Sequence, residues 1–496
     1  MKDILKYLAV LAAVALAVNT MAIAQTSPPP AKSAVVSQQT SVSSGAAEPW
    51  SEEWFKSIKE PVPWFKWGAD LRLRDEYTHN LKAYTNADTG AKGLTLNNDS
   101  PYKDTNYGRY RTRLWTTVTP IQDIDINARL VWKFRSYCEP KVRATSYCSD
   151  DIVDMRDVNL DEAIFDNLNV KWKNVLGQPL TLTAGRQDIV FGDGWLVLDG
   201  TPLDGARTIF FDAIRGTYEL KDIQTTIDAI YLQDYAIADK WIEPFNNQDR
   251  ALMEQNERGA ILYVTNKSLD KTEISPYFIY KQDRDAHLPN NPLYAPADIY
   301  TGGVRVAKEF DEHWRARAEI AQQLGHKNYE DICALGFNSR LSYFVKDALN
   351  NNFRLAYEFL SGDDPDTDTN EQFDPLWGRW PQFSEALALL GFEGRPGETT
   401  NMHRIGPGWS INPTDKMEIC TDYHLLFCDE NTKAGTTGYS DSGCFRGQLL
   451  TLLLQYKFNP HMKGHLLSEF FFPGDYYSDL KNDVGTFLRA ELVFTW

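Results

Sequence analysis

The chain has 496 residues, a formal net charge of −17 and 13% aromatic side chains. This acidity argues against a nucleic-acid partner, because phosphate binding needs a basic face. The six cysteines show no CxxC or Cys/His spacing typical of a zinc site, so we expect no metal and no other cofactor.

The first segment, residues 1–24, has the features of a secretory signal peptide. Lys2 and Lys6 give it a charged start, residues 7–18 are apolar, and the Ala-Ile-Ala sequence at 22–24 is a small-x-small cleavage site. The apolar run is too short to span a bilayer as a helix. The sequence therefore predicts an exported protein.

Residues 25–63 are rich in Ser, Pro, Ala and Gln. Such a composition cannot bury enough apolar surface to offset the entropy lost on ordering. We predict a flexible periplasmic segment, with one short amphipathic helix near residues 50–59. The folded domain is then expected to occupy residues 64–496.

From residue 64 onward the hydrophobic period is two. Between residues 67 and 77, apolar Leu71 and Leu73 alternate with charged Arg72 and Arg74. Residues 124–135 repeat this alternation. Both segments are longer than the roughly five or six residues of an ordinary strand, and they match the roughly 9–11 residues of a strand that crosses a bilayer.

Eighteen such segments can be placed between residues 67 and 496, joined alternately by short turns and long loops. The turn at 120–123 is short, for example, whereas the connection at 363–401 is long. This arrangement predicts an all-β fold, an 18-stranded antiparallel transmembrane β-barrel of the outer-membrane porin type. The alternative, a secreted β-sandwich or β-solenoid, would need shorter strands or a repeated unit.

The last predicted strand, 484–496, ends on Trp496 and is similar to the C-terminal sorting signal of outer-membrane proteins. We therefore expect the chain in the outer membrane of a Gram-negative bacterium, with its N-terminus in the periplasm.

In such a barrel the apolar positions face lipid and the polar positions line the lumen. The inferred inward face carries fifteen basic side chains against seven acidic ones. A basic aqueous channel concentrates anions, and guanidinium groups suit carboxylates. In the alternative interpretation, these arginines pair with acids across strands and stiffen the barrel. The pore-lining candidates on the strands are Arg72, Arg74, Arg109, Arg111, Arg113, Arg129, Arg135 and Arg354.

The segment from residue 185 to 216 is unusually dense in charge and glycine. Arg186, Arg207 and Arg215 alternate there with aspartates that include Asp193. We interpret it as a charged constriction, the alternative being a surface loop with self-neutralising charge. Its alternation fails at Arg186, so either a bulge at Gly185 turns this side chain inward or the strand has already left the membrane.

Neither an HExxH nor a GxSxG motif occurs, and we expect no enzymatic activity. If the protein is exported, disulfides are expected between Cys138 and Cys148 and between Cys428 and Cys444.

Several motifs together resemble the alginate export family. They are GRYRTRLW at 108–115, INARLVWKFRSY at 126–137, GRQDIVFGDGWL at 185–196, SGDDPDTDTNEQFDPLWGRWPQFSE at 361–385 and HLLSEFFFPGDYY at 465–477. The resemblance implies an eighteen-stranded outer-membrane porin through which an anionic exopolysaccharide passes a charge-selective constriction. By motif match it also implies functional roles for Arg74, Arg129, Arg186, Asp193 and Arg215.

The leading hypothesis is a passive, anion-selective channel for a negatively charged polysaccharide, alginate or a similar polyuronate. Its expected partners are this polysaccharide or an oligosaccharide, outer-membrane lipid and periplasmic secretion components. The alternative is an uptake porin for small organic anions or oligosaccharides. A third class is a barrel whose loops act in adhesion or lipid hydrolysis.

Overall fold

The structure, a computed structural model, describes residues 51–81, 104–139, 142–144, 152–154, 159–198, 210–236, 242–245, 255–284, 296–378, 381–390 and 399–496. The predicted signal peptide, residues 25–50 of the predicted periplasmic segment, Cys148 and Arg207 lie outside the described residues. The contacts divide the chain into Met1–Trp54 and Phe55–Trp496. In the first unit, the backbone N–H of Trp54 donates to Ser51 Oγ at 3.1 Å. The second contains the sheet.

Eighteen strands form one closed antiparallel sheet, because β1 pairs with β2 on one side and with β20 on the other. A short hairpin, β4 with β5, is separate from this sheet. The strands are β1 (Phe65–His79), β2 (Asp104–Ile121), β3 (Ile124–Glu139), β4 (Val142–Ala144), β5 (Ile152–Asp154), β6 (Asn159–Trp172), β7 (Leu180–Gln187), β8 (Phe211–Leu220), β9 (Thr225–Asp234), β10 (Asn256–Asn266), β11 (Thr272–Arg284), β12 (Ala297–Glu309), β13 (Trp314–Lys327), β14 (Glu330–Phe344), β15 (Asn352–Leu360), β16 (Met402–Thr414), β17 (Met417–Phe427), β18 (Phe445–Asn459), β19 (Met462–Pro473) and β20 (Gly485–Thr495).

The predicted barrel is confirmed, and the period-two pattern explains which way each side chain points. On β1, Leu71 is exposed on the outside, whereas its neighbour Arg72 is 2% exposed. Ile320 and Leu355 repeat the outward orientation on β13 and β15. An apolar belt thus surrounds a polar interior, as a bilayer requires.

Within the described residues, two α-helices accompany the strands, α1 (Glu52–Lys59) and α2 (Glu385–Leu390), with short 3₁₀ turns at Val175–Gly177, Lys221–Ile223 and Asp479–Lys481. Helix α1 is the helix expected near residues 50–59. Its Phe55 ring lies 5.2 Å from the ring of Trp496, at the end of the last strand. Within the described residues, none of the helices is both long and apolar enough to span a membrane.

Two connections turn into the barrel rather than away from it. We call them loop A (188–198) and loop B (the described residues 361–378, 381–390 and 399–401), the latter including α2. The backbone N–H of Trp377 in loop B donates to Leu196 of loop A at 3.0 Å, and the rings of Trp195 and Phe373 stack at 5.6 Å. The buried apolar side chains of both loops belong to one core with lumenal residues such as Ile261.

The base of the 428–444 loop differs from the sequence expectation. The backbone N–H of Cys428 donates to the carbonyl of Cys444 at 2.8 Å. Cys428 is nevertheless buried while Cys444 is exposed, and the predicted disulfide between them is absent. The backbones of the two cysteines are therefore paired, whereas their side chains differ in exposure.

Candidate functional site

The seam of the barrel, where β1 meets β2 and β20, carries a ladder of buried arginines. Arg74 holds Glu491 through Nη2 at 2.5 Å, and it also reaches Glu76 at 3.2 Å. Glu76 receives two further cations, Arg109 at 3.1 Å and Arg489 at 2.8 Å. One carboxylate thus serves three guanidinium groups, which leaves this wall with more positive than negative charge.

The neighbouring rung is built on Asp70 of β1. Arg113 bonds Asp70 through Nε at 2.8 Å, and Arg111 lies 3.6 Å from the same carboxylate. Arg72 lies 3.8 Å from Glu491. These three predicted residues therefore face the lumen together, as the alternation of β1 and β2 requires.

Arg129 on β3 is held by two acids. It donates through Nε to Asp166 at 2.7 Å and through its two terminal nitrogens to Asp188 at 2.8 and 2.9 Å. Asp188 begins loop A, so Arg129 ties this loop to the wall. Arg135, further along β3, lies with its guanidinium 5.6 Å from the ring of Tyr107.

Arg186 occupies the place where the alternation fails. Gly185 has φ +117°, and a Cβ there would collide with the carbonyl of Leu168, so the backbone twist needs glycine. Arg186 then donates to both oxygens of Asp212 at 2.9 Å and to the Phe165 carbonyl. Its guanidinium lies 3.6 Å from the Phe210 ring. Every nitrogen of this guanidinium group is therefore bonded within the protein.

The remaining predicted residues lie on both sides of the lumen. Arg215 pairs with Asp228 at 2.8 Å, and Arg354 donates to Asp422 at 3.0 Å. Asp193 of loop A reaches across to β12 and β13, where it binds Arg305 at 3.1 Å and also Arg317. Asp193 is thus the acid at which loop A meets the opposite wall.

That opposite wall is a second arginine face, absent from the residues selected by motif. Arg305, Arg317, Arg340 and Arg404 supply it together with Arg354, from strands β12 to β16. Arg404 donates to Glu358 at 3.0 Å, and the same carboxylate accepts from Trp195 of loop A at 2.9 Å. The fifteen basic side chains that alternation places on the inward face include these five arginines, but only the position of loops A and B shows that they share cavities.

Two lumenal cavities have an excess of cations. A cavity of about 700 Å³ is lined by four cations and two acids, namely Arg113, Arg129, Lys171 and Arg215 with Asp188 and Glu219. A cavity of about 490 Å³ near the short turns is lined by six cations and three acids, namely Lys267, Lys271, Lys308, Arg315, Arg317 and Arg340 with Asp193, Glu273 and Glu309. Each cavity wall is therefore net positive, in a chain whose total is −17.

The excess of cations over acids on the lumenal wall is nevertheless smaller than the alternation of the strands suggested. Acids that the inward-face count omitted hold lumenal arginines in the structure: Asp166, Asp188, Asp193, Asp228, Glu273 and Asp422. Several of them come from loops or irregular strand positions, where alternation does not predict orientation. Pairing within the wall therefore accounts for many of the predicted cations.

The acidic side of loop B lies apart from these cavities. Burial and the neighbouring carboxylate of Glu371 raise the pKa of Asp363, and burial together with Asp429 raises the pKa of Glu430. Carboxylates that raise one another's pKa form a negative region in the loops. This separation places acids in the loops and cations on the lumenal wall.

Comparison with known proteins agrees with this architecture. The fold is similar to the crystal structures of three Pseudomonas aeruginosa proteins, at 10–13% sequence identity. For OpdQ the TM-score is 0.53 at 11% identity, covering 87% of this chain and 97% of that one. For OccK5 (OpdH) the values are 0.51 and 13%, covering 86% and 97%. For the outer membrane protein OprD they are 0.50 and 10%, covering 87% and 94%.

Among curated proteins, none matches this sequence at a significant level. The alginate export family, in contrast, matches residues 64–490, which is almost the whole barrel. The barrel of eighteen strands, its arginine-lined lumen and this match lead to one conclusion: the chain is an outer-membrane channel that belongs to the alginate export family.

Proposed function

We propose that this channel is anion-selective and passes a negatively charged polysaccharide, alginate or a similar polyuronate. The observation that carries the proposal is the twofold excess of cations over acids in both lumenal cavities. In a low-dielectric channel such an excess raises the local concentration of anions and repels cations. Membership of the alginate export family supports the polysaccharide as substrate.

In this proposal the lumenal arginines act as a series of weak sites. Most of them already have a carboxylate partner in the wall, as Arg74 and Arg129 do. A passing uronate carboxylate would exchange with such a partner rather than bind an isolated cation. Exchange keeps each site weak, so the polysaccharide can move on to the next arginine. The N-terminal segment is on the periplasmic side in this proposal.

The test is the reversal potential of the full-length channel in a planar bilayer under a KCl gradient. We expect a preference for chloride over potassium. Arg129→Ala leaves Asp166 and Asp188 without their cation, so the preference should fall by roughly a factor of two to ten. The control is Arg284→Gln, which removes an exposed cation that lines neither cavity. Potassium preference in the wild-type channel would contradict the proposal.

Ligand length separates this proposal from an uptake porin. Long polyuronate should reduce the single-channel current. If only short carboxylates or oligosaccharides reduce it, the same architecture serves small anions instead.

A further inference from the structure

A third cavity, of about 430 Å³, lies between α2 of loop B and the wall formed by β14 to β19. Its lining includes three guanidinium groups, one imidazole and two phenyl rings, from Arg340, Arg354, Arg404, His424, Phe344 and Phe383. Three carboxylates also line it, those of Glu385, Asp422 and Glu469. Some of these charged groups already have partners within the protein, and others do not.

All three carboxylates have partners. Asp422 accepts from Arg354 at 3.0 and 3.1 Å. Glu469 accepts the first backbone N–H groups of α2, from Glu385 at 2.9 Å and Ala386 at 2.6 Å, together with the Thr451 hydroxyl at 3.0 Å. Glu385 itself receives Arg489 at 2.9 Å. The acids of the cavity thus hold Arg354, Arg489 and the helix.

The other donors are not used in this way. Among the described residues, the side chain of Arg340 has neither a hydrogen bond nor an ion pair, although its backbone is part of the β14 ladder. Arg404 is 3% exposed and donates through Nε to Glu358, but its buried Nη1 has no partner among the residues that the structure describes. His424 is 2% exposed, and both of its ring nitrogens lack a partner in the described part of the chain. Buried polar groups are nearly always hydrogen-bonded, so the unpartnered buried nitrogens of Arg404 and His424 in one cavity need an explanation.

The backbone keeps this space open. A Cβ at Gly406 would collide with Nδ1 of His424, so glycine is what allows the imidazole to lie in the cavity wall. Phe383 covers the group from loop B, with its ring 3.8 Å from the Arg404 guanidinium and 5.1 Å from the His424 ring. The phenyl ring of Phe383 therefore covers the unpartnered nitrogens of Arg404 and His424.

We infer that this cavity binds a sugar acid, a hydroxylated carboxylate of monosaccharide size. Guanidinium groups match a carboxylate in charge and geometry, and Arg340 with Arg404 supplies the free donors. The two nitrogens of His424 can donate to one hydroxyl and accept from another, while Phe383 packs against the apolar face of the ligand. The volume falls within the range of small-molecule sites. This deepens the proposed function, since the site rests on the same preference of the lumen for carboxylates.

The experiment measures gluconate binding to the purified full-length channel by isothermal titration calorimetry, with sorbitol and acetate as matched probes. Sorbitol has the hydroxyls without the carboxylate, and acetate has the carboxylate without the hydroxyls. We expect gluconate to bind more tightly than either. Sorbitol equal to gluconate would overturn the carboxylate contact, and acetate equal to gluconate would overturn the sugar part.

Variants locate the site. Arg340→Gln should weaken gluconate binding by about tenfold, the loss expected for one charge-assisted pair. His424→Leu should weaken gluconate but leave acetate unchanged, because the imidazole contacts hydroxyls. Arg284→Gln, with the same change in charge, should have no effect. Equal affinities for the Arg340→Gln and Arg284→Gln channels would overturn the assignment.

The outcomes separate this inference from the proposed function. A chloride-selective channel in which Arg340→Gln does not alter gluconate binding refutes only the site. A potassium-selective channel in which Arg340→Gln weakens gluconate binding by about tenfold refutes only the anion-selective function.

Discussion

Individual lumenal arginines differ in how completely the protein satisfies them. Arg186 uses all its nitrogens within the wall, Arg129 is held by two acids, and Arg340 has no described partner. The same residue type therefore serves stability at one position and is available to a ligand at another. Charge alone does not distinguish these roles, since all three are cations on strands of the same barrel.

The Arg186–Asp212 pair gives a stability prediction at this scale. Asp212→Asn removes the charge that compensates a buried guanidinium, and breaking such a pair costs about 3–5 kcal/mol. Urea unfolding of the detergent-solubilised barrel measures the difference. Arg284→Gln, at an exposed pair, should cost no more than about 1 kcal/mol. An Asp212→Asn channel of wild-type stability but altered ion preference would instead favour the predicted pore-lining role of Arg186.

Loops A and B are the elements that shape the cavities inside the barrel. Loop A brings Asp193 to β12 and β13, and loop B brings Phe383 and α2 against β14 to β19. Their mutual packing through Trp377 and Leu196 fixes both at once. The shape of the lumenal cavities therefore depends on loop packing as much as on the strands.

Asp374 anchors loop B and predicts how this anchoring responds to pH. Burial raises the pKa of Asp374, but the charges of Lys281 and Lys327 outweigh burial and lower it below its ordinary value. Lys327 lies 2.8 Å from the carboxylate. A group with a depressed folded pKa contributes stability above its unfolded pKa and loses it as pH falls.

The unfolded pKa of an aspartate is about 3.9. Protection of the described loop B residues 363–377 in hydrogen exchange, corrected for intrinsic exchange rates, should therefore stay constant from about pH 8 to pH 5 and fall only below about pH 4. Asp374→Asn should reduce the protection throughout this range and remove its pH dependence. A loss of protection already at pH 6 in the wild type would show that another group controls the loop.

The whole molecule separates its charges. Acids accumulate in the loops, as around Asp363 and Glu430, while the cavities of about 700 and 490 Å³ are net positive. Because the chain total is −17, only this separation makes a basic lumen compatible with an acidic protein. The net charge of the chain therefore does not indicate the charge of its pore.

The dependence of ion preference on ionic strength tests whether the separated charges act through the field of the lumen. Screening shortens the Debye length from about 30 Å at 0.01 M salt to about 3 Å at 1 M. The preference for chloride should therefore be strongest in dilute KCl and weaken steadily toward 1 M, as reversal potentials at a fixed concentration ratio would show. A preference independent of salt would point to binding at close contacts rather than to the field of the lumen.

The sequence alone determined the barrel. Strict alternation in segments such as β1 and β3 fixes which side chains face lipid, because successive residues of a strand point to opposite faces. The eighteen strands predicted between residues 67 and 496 agree with the eighteen strands of the closed sheet. The orientation of Arg72, Arg74 and Arg113 followed from the same rule.

Only the tertiary structure decided which of these residues form a site. Loops A and B have no alternation, so nothing in the sequence placed Asp188 on Arg129 or Phe383 over Arg404. The twist at Gly185 and the burial of Arg186 likewise depend on partners distant in the chain. Local periodicity encodes the wall of this channel, whereas long-range packing of its inward loops determines where the lumenal donors remain available.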